Sequence, residues 1–143
     1  MTEMSKHVEL WRVQLRNGTC RSVIFVLLND GSMPSLKEWL KLDGQVKKKF
    51  RNRFNTVLHA ETLTSLNDQI FRDLGDGIHY LKMKDPRWRA FCFVDGTHYH
   101  VTDFLFNPSN RDIAAAKERA VKRRRSFVTF TGVGHFDKPH IPR

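Results

Sequence analysis

The stretch DGIHYLKMKDPRWRAFCFVDGTHYHVTDFLF, Asp76 to Phe106, decides the fold. IHYLKMK and WRAFCFV read as strands, rich in aromatic and branched residues. Asp85-Pro86-Arg87 between them makes a turn, with Pro86 suited to its early position. Asp95-Gly96 is a tight hairpin turn, and THYHVTDFLF returns as a third strand. Hairpin-linked strands of this kind form an antiparallel meander. Lys82, Lys84, Arg87, Arg89, His98 and His100 all lie on it, which is an unusual load of nitrogen bases for one small sheet.

Working outward, VELWRVQL (Val8 to Leu15) alternates like a half-buried strand. Asn17-Gly18 marks a turn, and CRSVIFVLL (Cys20 to Leu28) reads as a buried strand, so the pair predicts a hairpin. Helix signals follow. LKEWLKL sets Leu36, Trp39 and Leu40 on one face. QVKKKFRNRFNTVLHAE carries Val46, Phe50, Phe54, Val57 and Leu58 at helical spacing, opposite a basic face of Lys47, Lys48, Lys49, Arg51 and Arg53. LTSLNDQIFRDLGDG reads as a turn-rich connector. After the meander, NPSNRDIAAAKERAVKRRR is a helix that Asn107 or Ser109 can cap, and SFVTFTGVG is a final edge strand. Residues 1–7 and 137–143 read as loose tails. The order predicts an α+β fold of two layers: a mostly antiparallel sheet, an N-terminal helix hairpin and a C-terminal helix, with the helices on one side. Residues 1–143 are expected to form one domain, with its core at about 20–125 and a C-terminal extension at 126–143.

Charge narrows the function. The chain has 143 residues, with 25 Lys and Arg against 15 acids, a formal net charge of +10 and a pI near 10.1. That excess favours a polyanionic partner, RNA, DNA or the ribosome, over a membrane surface. No apolar run approaches a bilayer span, and MTEMSKHVELW has no signal-peptide apolar region, so a cytoplasmic protein is expected. Cys20 and Cys92 make neither a disulfide framework nor a metal-ligand spacing. A Gly-rich phosphate loop, a Gly-x-Ser-x-Gly elbow and a His-Glu-x-x-His motif are all missing. His98 and His100 share one strand face by alternation. That spacing admits acid–base work, RNA contact, plain surface histidines, or zinc if His79 or Asp103 joins as a third ligand. Tyr80 and Tyr99 are open to base stacking or to core packing.

Three segments resemble the RelE/ParE superfamily of bacterial toxins, and most of all its RelE/HigB-type branch with phage-derived relatives. FRDLGDGIHYLKMK is similar to that family's leucine-glycine turn and basic-ended strand. RWRAFCFVDGTHYHVTDFLF is similar to its arginine-started hairpin, and NRDIAAAKERAVKRR to its closing helix. The resemblance runs from about Val23 to Arg125. It implies a type II toxin that cuts mRNA on the ribosome without metal or cofactor, with a cognate antitoxin as partner; gyrase inhibition is the other activity of the superfamily. Carried onto this chain, it implies Lys82 and Arg89 as catalytic phosphate ligands, with His98 or His100 moving protons. Arg87 and Lys84 would bind RNA beside them. The net charge of +10 leaves Lys47, Lys48, Lys49, Arg51 and Arg53 open to two readings, a solvated basic face or an RNA-binding docking surface for the ribosome. The chain departs from the pattern at FLFNPSN, where Leu105, Phe106 and Asn107 stand in place of lysines. That departure keeps open a second reading: a non-catalytic basic phage or mobile-element protein that binds RNA or a host protein.

Overall fold

The computed structural model describes residues 7–60, 69–130 and 133–135. The chain runs β1 (His7–Gln14), β2 (Cys20–Phe25), α1 (Pro34–Leu40), α2 (Gly44–His59), β3 (Phe71–Gly75), β4 (Ile78–Lys82), β5 (Trp88–Asp95), β6 (His98–Phe106), α3 (Asn110–Arg125) and β7 (Val133–His135). The strands join in one sheet of order β3-β4-β5-β6-β2-β1-β7. The meander and the β1–β2 hairpin are antiparallel, whereas β2 lies parallel to β6 and β7 parallel to β1. The sheet is therefore mixed, and it joins the hairpin to the meander through the β2–β6 pair.

The structure corrects the sequence reading in three places. First, the connector before the meander contains β3. Asp76 and Gly77 both have positive φ, 56° and 78°, as a two-residue hairpin turn requires, and they fold Phe71–Gly75 back onto β4. Second, His7 is no loose tail residue but the fully buried start of β1. Third, the helices do not share one side. α1 and α2 cover one face of the sheet: Trp39, Phe50, Phe54 and Leu58 pack there with Val23, Phe25, Cys92, Tyr99 and Val101. α3 covers the other, where Ala116 and Ala120 meet Tyr80, Phe91, Ile78 and Phe93. The fold is α+β in three layers. Ala90, Phe91, Cys92 and Phe93 are consecutive and all buried, the signature of a strand covered on both faces.

Local chemistry sets the helix ends. The Asp43 side chain accepts the Val46 N–H at 3.0 Å and starts α2. Ser109, and not Asn107, caps α3, through a reciprocal pair with Asp112. Asn107 instead takes a left-handed φ of 45° that ends β6. The alanines of α3 let the helix approach the sheet closely.

A bulge in β6 locks α3 in place. Phe91 pairs with Asp103, but Cys92 pairs with Val101, so Thr102 is an extra residue, and its hydroxyl donates to the Phe91 carbonyl at 3.2 Å. As a result Val101 and Phe104 both face α1 and α2, while Asp103 turns towards α3. Asp103, only 2% exposed, accepts from Arg119 Nε at 3.0 Å and Arg123 Nη1 at 2.8 Å. Arg123 also donates to the Thr102 carbonyl. Burial holds the Asp103 carboxyl above its ordinary range, and the two guanidiniums pull it back. Removing this carboxylate strands two partly shielded cations. We expect Asp103→Ala to lower the unfolding free energy by about 2–3 kcal/mol, below the roughly 3–5 kcal/mol of a fully buried pair because both arginines keep some solvent contact. Urea titration of the variant against the parent chain measures it.

Candidate nucleic-acid interface

The described structure separates the sequence-expected residues into three groups. Lys82 and Arg89 stand directly opposite each other across β4 and β5. By strand alternation they share the α3 face with Tyr80 and Phe91. The Arg89 guanidinium lies 5.3 Å from the centroid of the Tyr80 ring. Its Nε is buried without a hydrogen-bond partner, while its Nη1 donates to the Trp88 carbonyl at 3.3 Å. Among the described residues, the Lys82 ammonium donates to the Gln69 side chain, at 3.4 Å. Arg72, exposed on β3, pairs in register with Tyr80 and so joins this face. Among the described residues, none of Arg72, Lys82 and Arg89 forms an ion pair.

The sequence gives little sign of Arg72, because β3 is short and crowded with turn residues. The alternation Phe71-in, Arg72-out ahead of an Asp-Gly turn carries the signal.

The second group sits on the opposite layer. Lys47 and Arg51 lie over the Trp39 indole at 5.9 and 5.5 Å. Lys49 donates to the Asp85 carbonyl, and with Asn52, Arg53, Met83 and Lys84 it lines a concavity of about 310 Å³ between α2 and the β4–β5 turn. Lys48 is exposed on α2. Arg87 is exposed at the end of the sheet, where its carbonyl accepts the Asn107 N–H.

His98 and His100 form the third group, at the far end of the α3 face. Phe93, not Arg89, pairs with His100, and Asp95 pairs with His98. Four to six residues of strand separate them from Arg89, a distance of about 13–20 Å. Phe91 and Phe93 fill the space between, under Ala116 and Ala120. A single active site containing Lys82, Arg89 and both histidines is therefore not assembled.

His100 is fully buried. It is stacked on Phe93 with centroids 4.8 Å apart, and Phe127 meets it edge-on. Neither of its ring nitrogens has a hydrogen bond, and Asp95 Oδ2 stays 3.9 Å from Nε2. His98 stacks on Phe130 at 4.0 Å. His7, Glu9 and Ser22 complete this polar interior. Glu9 Oε2 accepts from Ser22 at 2.7 Å and from Arg12 at 3.1 Å, and His7 Nε2 lies 2.9 Å from the Val128 carbonyl. His79 stacks on Phe71 on the other face, and Asp103 is held by α3, so neither joins the histidine pair. Among the described residues, no three His, Cys, Asp or Glu side chains gather to hold a metal ion. Burial also pushes the Cys92 thiol up to about 12.

No family model matches the sequence, and no curated protein matches it. Among solved structures, the isolated E. coli RelE toxin is similar, with a TM-score of 0.44 and 18% sequence identity, covering 62% of this chain and 92% of that one. At that level of likeness, function has to be read from this chain's own residues. No helix among the described residues is long and apolar enough to cross a membrane.

Burial, then the neighbouring His7 and His98, push the His100 imidazole down to about 3 from an ordinary 6.5. The unfolded chain therefore binds the proton first, and stability falls as pH drops from about 6.5 towards 3. His98 is lowered too, mainly by burial, and acts in the same direction. Unfolding measured between pH 7 and pH 5 should lose about 2 kcal/mol on account of His100. His100→Phe should flatten that slope.

Proposed function

We propose that this chain is an RNA-binding toxin of the RelE type, which grips mRNA with Arg72, Lys82 and Arg89 and stops translation by cleaving it on the ribosome. One observation carries the reading. Lys82 and Arg89 face each other across two strands, and among the described residues neither forms an ion pair. Like charges directly opposite destabilise a sheet by up to about 1 kcal/mol. A phosphate seated between them removes that repulsion, and the Arg89 fork offers paired donors to its oxygens. Net charge of +10 draws the polyanion in.

Cleavage beside a 2′-hydroxyl needs the phosphate aligned and its growing negative charge balanced. Cations preorganised on a rigid sheet can supply both. The 2′-oxygen attacks the adjacent phosphorus, its proton leaves, and the 5′-oxygen departs with a proton gained. His98 and His100 stand too far off to exchange these protons. The protons then pass to water or to groups on the ribosome. Lys84, Lys49 and Arg53 would hold flanking phosphates, and a cognate antitoxin would mask the basic surface.

The distance of the histidines favours a second reading on the same face: RNA binding without cleavage. Induced expression in bacteria, with primer extension on cellular mRNA, separates the two. Growth arrest with cuts inside translated codons, abolished by Lys82→Ala with Arg89→Ala, is the expected result. Arrest without cuts supports the stoichiometric binder, and a folded, well-expressed chain without effect removes the toxin reading. In binding assays the double variant should flatten the logarithmic salt dependence by about 1.4, the share of two phosphate contacts on a single strand.

A further inference from the structure

Large apolar side chains are seldom left in water. Among the described residues only Leu40 and Phe106 are strongly exposed, and Phe106 is the more so, at 59%. Phe106 ends β6 directly opposite Trp88, the first residue of β5. Their ring centroids are 5.3 Å apart, with planes tilted by 55°. The half-buried indole thus supports one side of the phenyl ring and leaves the rest to solvent.

The backbone fixes this pair. The Asn107 N–H donates to the Arg87 carbonyl, and the left-handed Asn107 turns the chain away towards α3. Both rings lie on the α1–α2 face, since Trp88 packs on that core and Phe104 two residues earlier faces Trp39. Arg87 adjoins the pair at the end of the sheet. Arg89, the next residue after Trp88, projects from the opposite face beside Lys82. Beneath the rings a groove of about 400 Å³ is lined by Leu42, Val46 and Phe104. The two acids that border it are already engaged: Glu38 accepts the Phe104 N–H, and Asp43 caps α2.

We infer that Trp88 and Phe106 are a base-stacking platform for single-stranded RNA, one step from the Lys82–Arg89 phosphate clamp. This rests on the phosphate-binding reading above. A strand crossing the end of the sheet could leave its phosphates on the cations of one face and Arg87, while an unpaired base covers the exposed phenyl ring. Every base has an apolar face, so the platform selects unpaired RNA over duplex and demands no particular sequence. An apolar patch that adjoins Arg87 and a groove lined by Lys41 suits this ligand better than an apolar protein surface, which gains nothing from those charges.

The test titrates the whole chain with a short oligouridylate, the matching abasic oligomer and an RNA duplex, following binding and tryptophan fluorescence. The parent chain should prefer oligouridylate to the abasic oligomer and show quenching with the former alone. Phe106→Ala should weaken oligouridylate binding about 5- to 150-fold, the range for loss of one stacked base. It should leave the abasic oligomer unaffected, and Phe106→Tyr should restore binding. Equal binding of the two oligomers, or an unchanged Phe106→Ala variant, overturns the platform while leaving the phosphate clamp standing. Failure of the parent chain to bind any of the three overturns both. Phe106 is exposed enough that its loss should not unfold the chain, and a urea titration of the variant confirms that.

Discussion

Thr102 is one residue more than β6 needs to match β5, and that surplus turns Asp103 towards α3. Without the bulge, Asp103 would fall on the same face as Val101, among the aromatic rings packed by α1 and α2. With it, the carboxylate meets Arg119 and Arg123, and Phe104 returns to the Trp39 core. The third layer of the fold thus hangs on a local irregularity in one strand. A buried charge has to be paired, so this contact fixes where α3 lies more tightly than its alanines could.

Placing α3 there divides the face beneath it. The helix covers Tyr80, Phe91, Ile78 and Phe93 and leaves polar groups on either side. At one end lie the cations of β3, β4 and β5, none of which forms an ion pair among the described residues. At the other, His7, His100, Glu9 and Ser22 are buried, Phe127 meets His100, and the half-buried His98 stacks on Phe130. Burial lowers the His98 and His100 imidazoles, which makes the chain sensitive to acid. The cation end is the one we propose meets a phosphate chain.

Much of this order was legible in the residues. The meander, the first hairpin and all three helices follow from turn dipeptides, alternation and 3.6-residue spacing. The pairing of Lys82 with Arg89 follows from the hairpin between them. What escaped has identifiable causes. β3 was hidden because Asp73, Gly75, Asp76 and Gly77 outweigh two apolar residues in a short strand. The side on which α3 packs depends on the bulge, and neither Thr102 nor Asp103 announces one. The four consecutive buried residues of β5 did carry the information that both faces are covered. His98 and His100 look alike by alternation to Lys82 and Arg89, and period two says nothing about how far along a strand a residue stands. Their burial comes from residues 127–130 and from His7, more than ninety positions away in sequence.

The central claim is that RNA meets the cation end of this face and not the histidine end. Amide and side-chain NMR shifts, followed while a short oligouridylate is added, test it most directly. The account predicts that Arg72, Lys82, Arg87, Arg89 and Phe106 shift together while His98, His100 and Glu9 stay in place. Shifts centred on the histidines, with the Lys82–Arg89 pair unmoved, would contradict it.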